Sequence, residues 1–347
     1  MKQTLFCLLH LFLFVFIVFD TVIAEEKTIT LMTHDSFNVS QEVIGIFEKQ
    51  HGVKVRFLKA GDAGVALVQA ILSKENPLAD VFFGVDNTFL SRALEADIFE
   101  PYQSPLLQTI PQQLKLDNQN RLLPVDYGDV CLNYDKIWFQ KNNIAVPTDI
   151  GDLIKPEYKG LTVVQNPATS SPGMAFMLAT IGKFGEEGYL DFWAKLRENG
   201  VIVANGWEDA YYGHFTSASK GDRPIVVSYA SSPPAVVFYA DKPLTEAPTA
   251  AVVTANNAFR QIEFVGILKG TKKVQLARKL VDFMLDTTFQ EDIPLQMFVF
   301  PANPKATLPE VFQKYAVVAE KPATVDPEDI EAKRDKWIEA WTNTVIR

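Results

Sequence analysis

In the stretch "NGWEDAYYGHF", Trp207, Tyr211 and His214 stand at i, i+4 and i+7, which on a regular helix puts them on one face with Tyr212 offset. Further on, in "SYASSPP", Tyr229 precedes three small residues and a Pro-Pro pair. A tryptophan and two or three tyrosines beside acids can cage a flat cation, each desolvated cation–π contact being worth about 2 kcal/mol. An aromatic stripe at helical spacing belongs to a core by default. Trp207, however, follows Asn205-Gly206 at a loop-to-helix junction with Glu208 and Asp209 as neighbours, and junctions of that kind usually face a cleft.

Hydroxyls and free backbone amides offer a second chemistry. Four strand-to-loop junctions look alike: "THDSF" (33–37), "AGDAGV" (60–65), "FGVDNT" (83–88) and "NPATSSPG" (166–173). Any one of them is accounted for by helix N-capping. Several converging on one cleft would also present N–H groups suited to an anion or a hydroxyl. Ser170 and Ser171, followed by Pro172 and Gly173, are the strongest of these, because proline at a helix start leaves the first amides unobstructed. For catalysis the chain offers little: no G-x-S-x-G, H-E-x-x-H, P-loop or glycine-rich dinucleotide fingerprint. A carboxylate pair of glycosidase type stays open, since acids are plentiful, but no pair stands out.

These groups need a scaffold. "TITLMTHDSF" reads as a strand, "SQEVIGIFEKQHG" as a helix ending at Gly52, and "VKVRFLKAGDAG" as a strand. "VALVQAILSKENPLAD" is helical up to Asn76-Pro77, and "ADVFFGVD" is a buried strand halting at Asp86. That alternation implies a right-handed parallel sheet. A second group of apolar runs ending in polar residues begins near "LLPVDYGDVCLNYD". "NNAFRQIEFVGILKG" then gives a further strand, followed by an amphipathic helix, and a last helix carries Ile330, Trp337 and Trp341.

The chain has 347 residues, 48% of them apolar, with 42 acids against 33 bases and a net charge of -9. A sizeable core is affordable. A nucleic-acid partner is not expected, because phosphate binding draws on clustered Lys and Arg. Residues 1–24 open with Lys2, run apolar from Leu5 to Phe19 and end in Val22-Ile23-Ala24, the pattern of a secretory signal cut after Ala24. The apolar run falls short of the roughly 20 residues of a spanning helix. Removal of the leader leaves one thiol, Cys131, expected to be buried, and no internal disulfide.

Read together, "THDSF", "ADVFFGVDNTFL", "LLPVDYGDVCLNYD", "NPATSSPGM", "NGWEDAYYGHF", "VVSYASSPPA", "DIPLQMFVFPAN" and "KRDKWIEAWTNTV" resemble the thiamine-binding periplasmic proteins of ABC importers, from about residue 27 to the end. The resemblance implies an α/β, bilobed fold of the type II periplasmic-binding class. Its two lobes have mixed or parallel sheets, and the ligand lies in the cleft between them. The divisions expected are 1–24 for the leader, 25–125 with 255–300 for one lobe, and 126–254 with 301–347 for the other. It further implies capture of thiamine, or its mono- or diphosphate, in the periplasm by a monomer without cofactor or catalysis. Delivery is to a membrane permease driven by an ATPase.

Carried over position by position, Asp62 with Ala63 and Gly64 matches the family's Asp-Gly contact, with one residue more. Ser170 and Ser171 match its hydroxyl pair, Trp207 its cleft tryptophan, and Tyr229, Ala230, Ser231 and Ser232 its Tyr-x-x-Ser segment. Three aromatic positions differ. His34 stands where a tyrosine is usual, Ala235 where an aromatic is expected, and Phe298 where a late tryptophan belongs, so the cage is thinned and would also suit the pyrimidine half of thiamine. The related iron(III)-binding proteins are an alternative, with Tyr211-Tyr212, His34 and Asp62 as donors. Their paired tyrosines correspond to the segment at Tyr229, where this chain has Tyr-Ala. A secreted carboxylate hydrolase is the alternative from another class.

Overall fold

The structure, a computed structural model, describes residues 27–347, and the leader read at 1–24 lies outside the described residues. Its strands are β1 Thr28–Thr33, β2 Lys54–Lys59, β3 Val81–Asp86, β4 Phe99–Glu100, β5 Leu123–Asp135, β6 Thr162–Gln165, β7 Ile202–Ala204, β8 Ile225–Tyr229, β9 Thr249–Val252, β10 Ala258–Leu268 and β11 Phe300–Pro301. They form one mixed sheet in the order β2-β1-β3-β10-β5-β8-β6-β7, with β4 on β10 and both β9 and β11 on β5.

The opening third folds as its patterns require. β1 pairs in parallel with β2 and β3, joined by helices Gln41–His51 and Ala63–Leu72. Ser40 caps the first helix by accepting from Val43 N–H, and Gly52 ends it in the left-handed region at φ 60°. β3 is buried along its whole length. Successive residues feed opposite faces, as strand geometry dictates. Leu31, Val81 and Phe83 join one core with Phe47, Val265 and Met284. Met32 and Phe82 join the other, which continues to Phe176, Trp193 and Trp341.

The direction of the central strands was not readable from local pattern. β10 runs antiparallel to β3 and β5, and β5 antiparallel to β8. β6 is parallel to both β7 and β8. Two parallel triplets, β2-β1-β3 and β8-β6-β7, are therefore set end for end by three antiparallel steps. The long strands β5 and β10 run through both halves. The carboxyl ends of the two triplets meet across a crevice, where open α/β sheets hold ligands. The C-terminal helix Pro327–Val345 closes the back by setting Trp341 edge-on against Trp193 at 5.4 Å. Cys131 is fully buried, and no helix among the described residues is long and apolar enough to cross a membrane.

Candidate functional site

The crevice holds a cavity of about 290 Å³. From the first triplet come His34, Lys59 and Asp62, from the second Ser171, Trp207 and Tyr229, and the centre and rim add Glu263 and Phe298. Of the residues selected from sequence, His34, Asp62, Ala63, Ser171, Trp207, Tyr229, Ser232 and Phe298 line it. Gly64, Ser170, Ala230 and Ser231 do not. Gly64 is a close-packing position, where a Cβ would lie 2.8 Å from the Thr169 carbonyl oxygen. Ser170, Ala230 and Ser231 are fully buried, with both serine hydroxyls lacking a hydrogen-bond partner among the described residues.

One wall is aromatic. Residues Asp209–His214 form a π-helical turn rather than an α-helix, with Phe215 N–H donating to the Ala210 carbonyl at 3.1 Å. A wider turn changes which side chains align. Trp207 and Tyr211 stack at 4.8 Å and 20°. Tyr212, expected to be offset, instead meets Trp207 edge-on at 5.5 Å through the i, i+5 relation. His214, expected on the shared face, turns away toward Asp209 at 3.9 Å. The indole is held by a relay in which Trp207 Nε1 donates to Ser228 Oγ at 2.9 Å and Ser228 Oγ meets Ser232 Oγ at 2.8 Å. Ser232 thus acts both as cavity lining and as the clasp of the Tyr-x-x-Ser turn, accepting from Tyr229 N–H at 3.2 Å.

Tyr229 is pinned from both ends. Its hydroxyl donates to Gln261 Oε1 at 3.2 Å, and Gln261 Nε2 donates in turn to Ser171 Oγ at 3.2 Å. A Cβ on Gly128 would come within 2.8 Å of the Tyr229 ring, so glycine there makes room for the phenol. Gly84 does the same for His34 on β3: its φ is +111°, and a Cβ would lie 2.6 Å from the imidazole.

Asp62 is the junction of the two halves. As N-cap of helix Ala63–Leu72 it accepts from Ala63 N–H at 2.7 Å. It also accepts from Ser171 N–H at 3.2 Å and Trp207 N–H at 3.0 Å, both across the crevice. The amides read from sequence as free at the start of helix Ser171–Glu198 are thus partly taken by the protein's own carboxylate. Burial raises the pKa of Asp62, with the Trp207 amide and His34 working against that rise.

The floor is ionisable. Burial disfavours the His34 cation, but Glu263 at 3.4 Å, helped by Asp62 and Asp35, outweighs it and raises the imidazole pKa. The contact is an ion pair when the imidazole carries its second proton, and it is not an aligned hydrogen bond. Burial also lifts Asp86 to about 7, against the hydrogen bond from Thr88 and with the added repulsion of Glu263.

Sequence reasoning missed Tyr239, Glu263 and Lys59, and set Tyr212 off the aromatic face. Tyr239, at the end of helix Pro233–Phe238, lies one turn beyond Ala235 and packs on Phe298 at 5.6 Å. It restores on the next turn an aromatic that position 235 lacks, and the i, i+4 spacing was the available signal. Glu263 and Lys59 sit at strand positions that local pattern does not mark. The contact of Tyr212 with Trp207 was hidden by the assumption of α-helical pitch.

Residues 76–320 match the family of bacterial extracellular solute-binding proteins. The thiamine-binding periplasmic protein of Brucella suis is 30% identical over 332 residues, covering 93% of this chain and 93% of that one. A solved periplasmic thiamin binding protein is 26% identical with a TM-score of 0.82, over 93% of this chain and 97% of its own. The ferric binding protein from Campylobacter jejuni shares the fold at TM-score 0.74 and 19% identity, over 91% of this chain and 99% of its own. On these findings the chain belongs to the bacterial extracellular solute-binding proteins.

Proposed function

We propose that this protein captures thiamine, or a phosphate ester of it, in the crevice and passes it to the permease of an ABC importer outside the cytoplasm. The observation that carries the reading is the meeting of stacked rings and carboxylates in one cavity. Trp207, Tyr211, Tyr212, Tyr229 and Tyr239 share it with Asp62, Glu208 and Glu263. Such a surface suits a flat aromatic cation. Lys59 is the single lysine or arginine among the described residues lining the cavity. That balance favours the free vitamin over its diphosphate. In this reading the halves are 25–125 with 255–300 and 126–254 with 301–347, which hinge about β5 and β10 to enclose the ligand. No bond is made or broken.

The iron(III) alternative needs Tyr211, Tyr212 and Asp62 as donors, but Tyr211 stacks on Trp207, Tyr212 meets the same indole edge-on, and Asp62 is engaged by three amides. Native mass spectrometry of protein purified without denaturation tests the reading. Added mass equal to thiamine or its monophosphate is expected, and a mass of iron or a sugar would overturn it.

A further inference from the structure

Asp86, Glu263 and Asp126 lie directly opposite one another on β3, β10 and β5, forming a rung of three carboxyls across the centre of the sheet. All three are more than nine-tenths buried. Like charges at opposed strand positions repel, and buried charges without partners are costly. Asp86 is partly satisfied, since its Oδ1 accepts from Thr88 N–H at 2.8 Å and Thr88 Oγ1 at 2.6 Å. Asp126 is not: neither of its oxygens receives an N–H or O–H from the described residues, and Glu263 is within hydrogen-bonding reach. Glu263 alone of the three lines the cavity.

We propose that the rung holds one exchangeable proton between Asp126 and Glu263, and that a cationic ligand entering the cavity displaces it and takes Glu263 as its counter-charge. The inference rests on the ligand being an organic cation of the thiamine class, as proposed above. In the exchange a carboxyl O–H breaks and its electron pair stays on the carboxylate. The proton leaves to the buffer, and the total charge of the site is unchanged. A neutral ring of the same shape cannot drive that step, so the rung selects for charge as the aromatic wall selects for shape.

The surroundings support proton storage. Burial raises Asp126 well above the usual carboxylate range, and the charge of Glu263 adds to the rise. Of the titratable groups around the rung, His34 stands against Glu263, with Asp35 and Asp62 acting on His34 from the loops after β1 and β2, and Tyr229 from β8 feels all three carboxyls. Arg334 of the C-terminal helix acts on Asp86, and Lys59 lines the same cavity as Glu263. Asp62 is already engaged by three amides. That leaves Glu263 as the buried lining carboxylate in reach of a second carboxyl.

Calorimetric titration of the mature chain with thiamine at about pH 7, in phosphate and in Tris, reads the proton directly. The wild type is expected to release roughly half to one proton, with affinity rising severalfold between about pH 6 and pH 8. Asp126→Asn should bind thiamine within about threefold of wild type at the higher pH, yet release none and lose the pH dependence. Glu263→Gln should bind about tenfold more weakly or worse. A binding enthalpy independent of buffer overturns the exchange. Melting of the ligand-free protein separates the store from the ligand. Asp126→Asn should gain more over wild type at about pH 8 than at about pH 5, because a raised carboxyl keeps its proton folded while the unfolded chain loses it. Parallel melting profiles overturn the store itself. Divergent profiles without any thiamine heat uphold the store and remove thiamine as the ligand.

Discussion

The aromatic wall and the acidic floor of the cavity are built on opposite terms. On the wall, two key polar atoms have partners: Trp207 Nε1 is held by Ser228, and the Tyr229 hydroxyl by Gln261. On the floor, Asp126 and one oxygen of Asp86 lack a donor among the described residues. The wall fixes geometry and is expected to fail by losing ring contact. The floor fixes charge and is expected to respond to pH. A binding site can therefore be rigid in shape and adjustable in charge within a few residues, because hydrogen-bonded rings and unpaired carboxyls answer to different variables.

Substitutions at four positions would break or sharpen that contrast. The largest binding effect belongs to the wall. Trp207→Ala removes the central ring and should weaken thiamine at least about tenfold, or roughly 1.4 kcal/mol, by calorimetry. Asp62→Ala leaves three amides without their acceptor and should lower folding stability by about 2 kcal/mol or more in urea. Asp62→Asn, which keeps an acceptor, should recover part of that. Ser228→Ala frees the indole and should cost about 1 kcal/mol of stability with a few-fold loss of affinity. Tyr239→Ala, at the exposed rim, should weaken binding only about two- to threefold. An effect of Tyr239→Ala as large as that of Trp207→Ala would place the stack at the mouth rather than at the Trp207 wall.

The floor has its own signature in ligand-free stability. Asp86, raised to about 7, keeps its proton in the folded state while the unfolded carboxyl loses it near about 4. Over that window the folded state binds more protons, so stability falls as pH rises. His34 adds in the same direction, since its raised pKa supplies stability at low pH that is lost as pH climbs through the folded value. Asp117, Asp149 and Asp152, lowered despite burial by cationic and hydrogen-bonding partners, act oppositely and only at acid pH. Between about pH 5 and pH 8 the floor should dominate, and Asp86→Asn should flatten the melting profile. A profile that rises across that interval would remove the floor as the source.

Local signals made much of this legible. Ser40 before a periodic helix, Gly52 at its end and the apolar run stopping at Asp86 placed β1 to β3 and their helices, since caps and alternation act within a few residues. The junction residues Asp62, Ser171 and Trp207 were legible for the same reason. What escaped depends on distant partners. The rung of Asp86, Glu263 and Asp126 exists only through pairing of strands remote in sequence, whose direction no local pattern states. The π turn escaped because five-residue and four-residue spacings coexist in "WEDAYY". Ser170 and Ser171 are adjacent, and only the rotation of one helix start decided which meets the cavity.

Tryptophan fluorescence during thiamine titration tests the central claim most directly, by comparing wild type with Trp207→Phe. Trp193, Trp337 and Trp341 are buried, whereas Trp207 lines the cavity. A saturable, one-to-one quench is expected in the wild type and should be largely absent from the variant. No quench at all, or the same quench in both proteins, would contradict a ligand stacked on that indole.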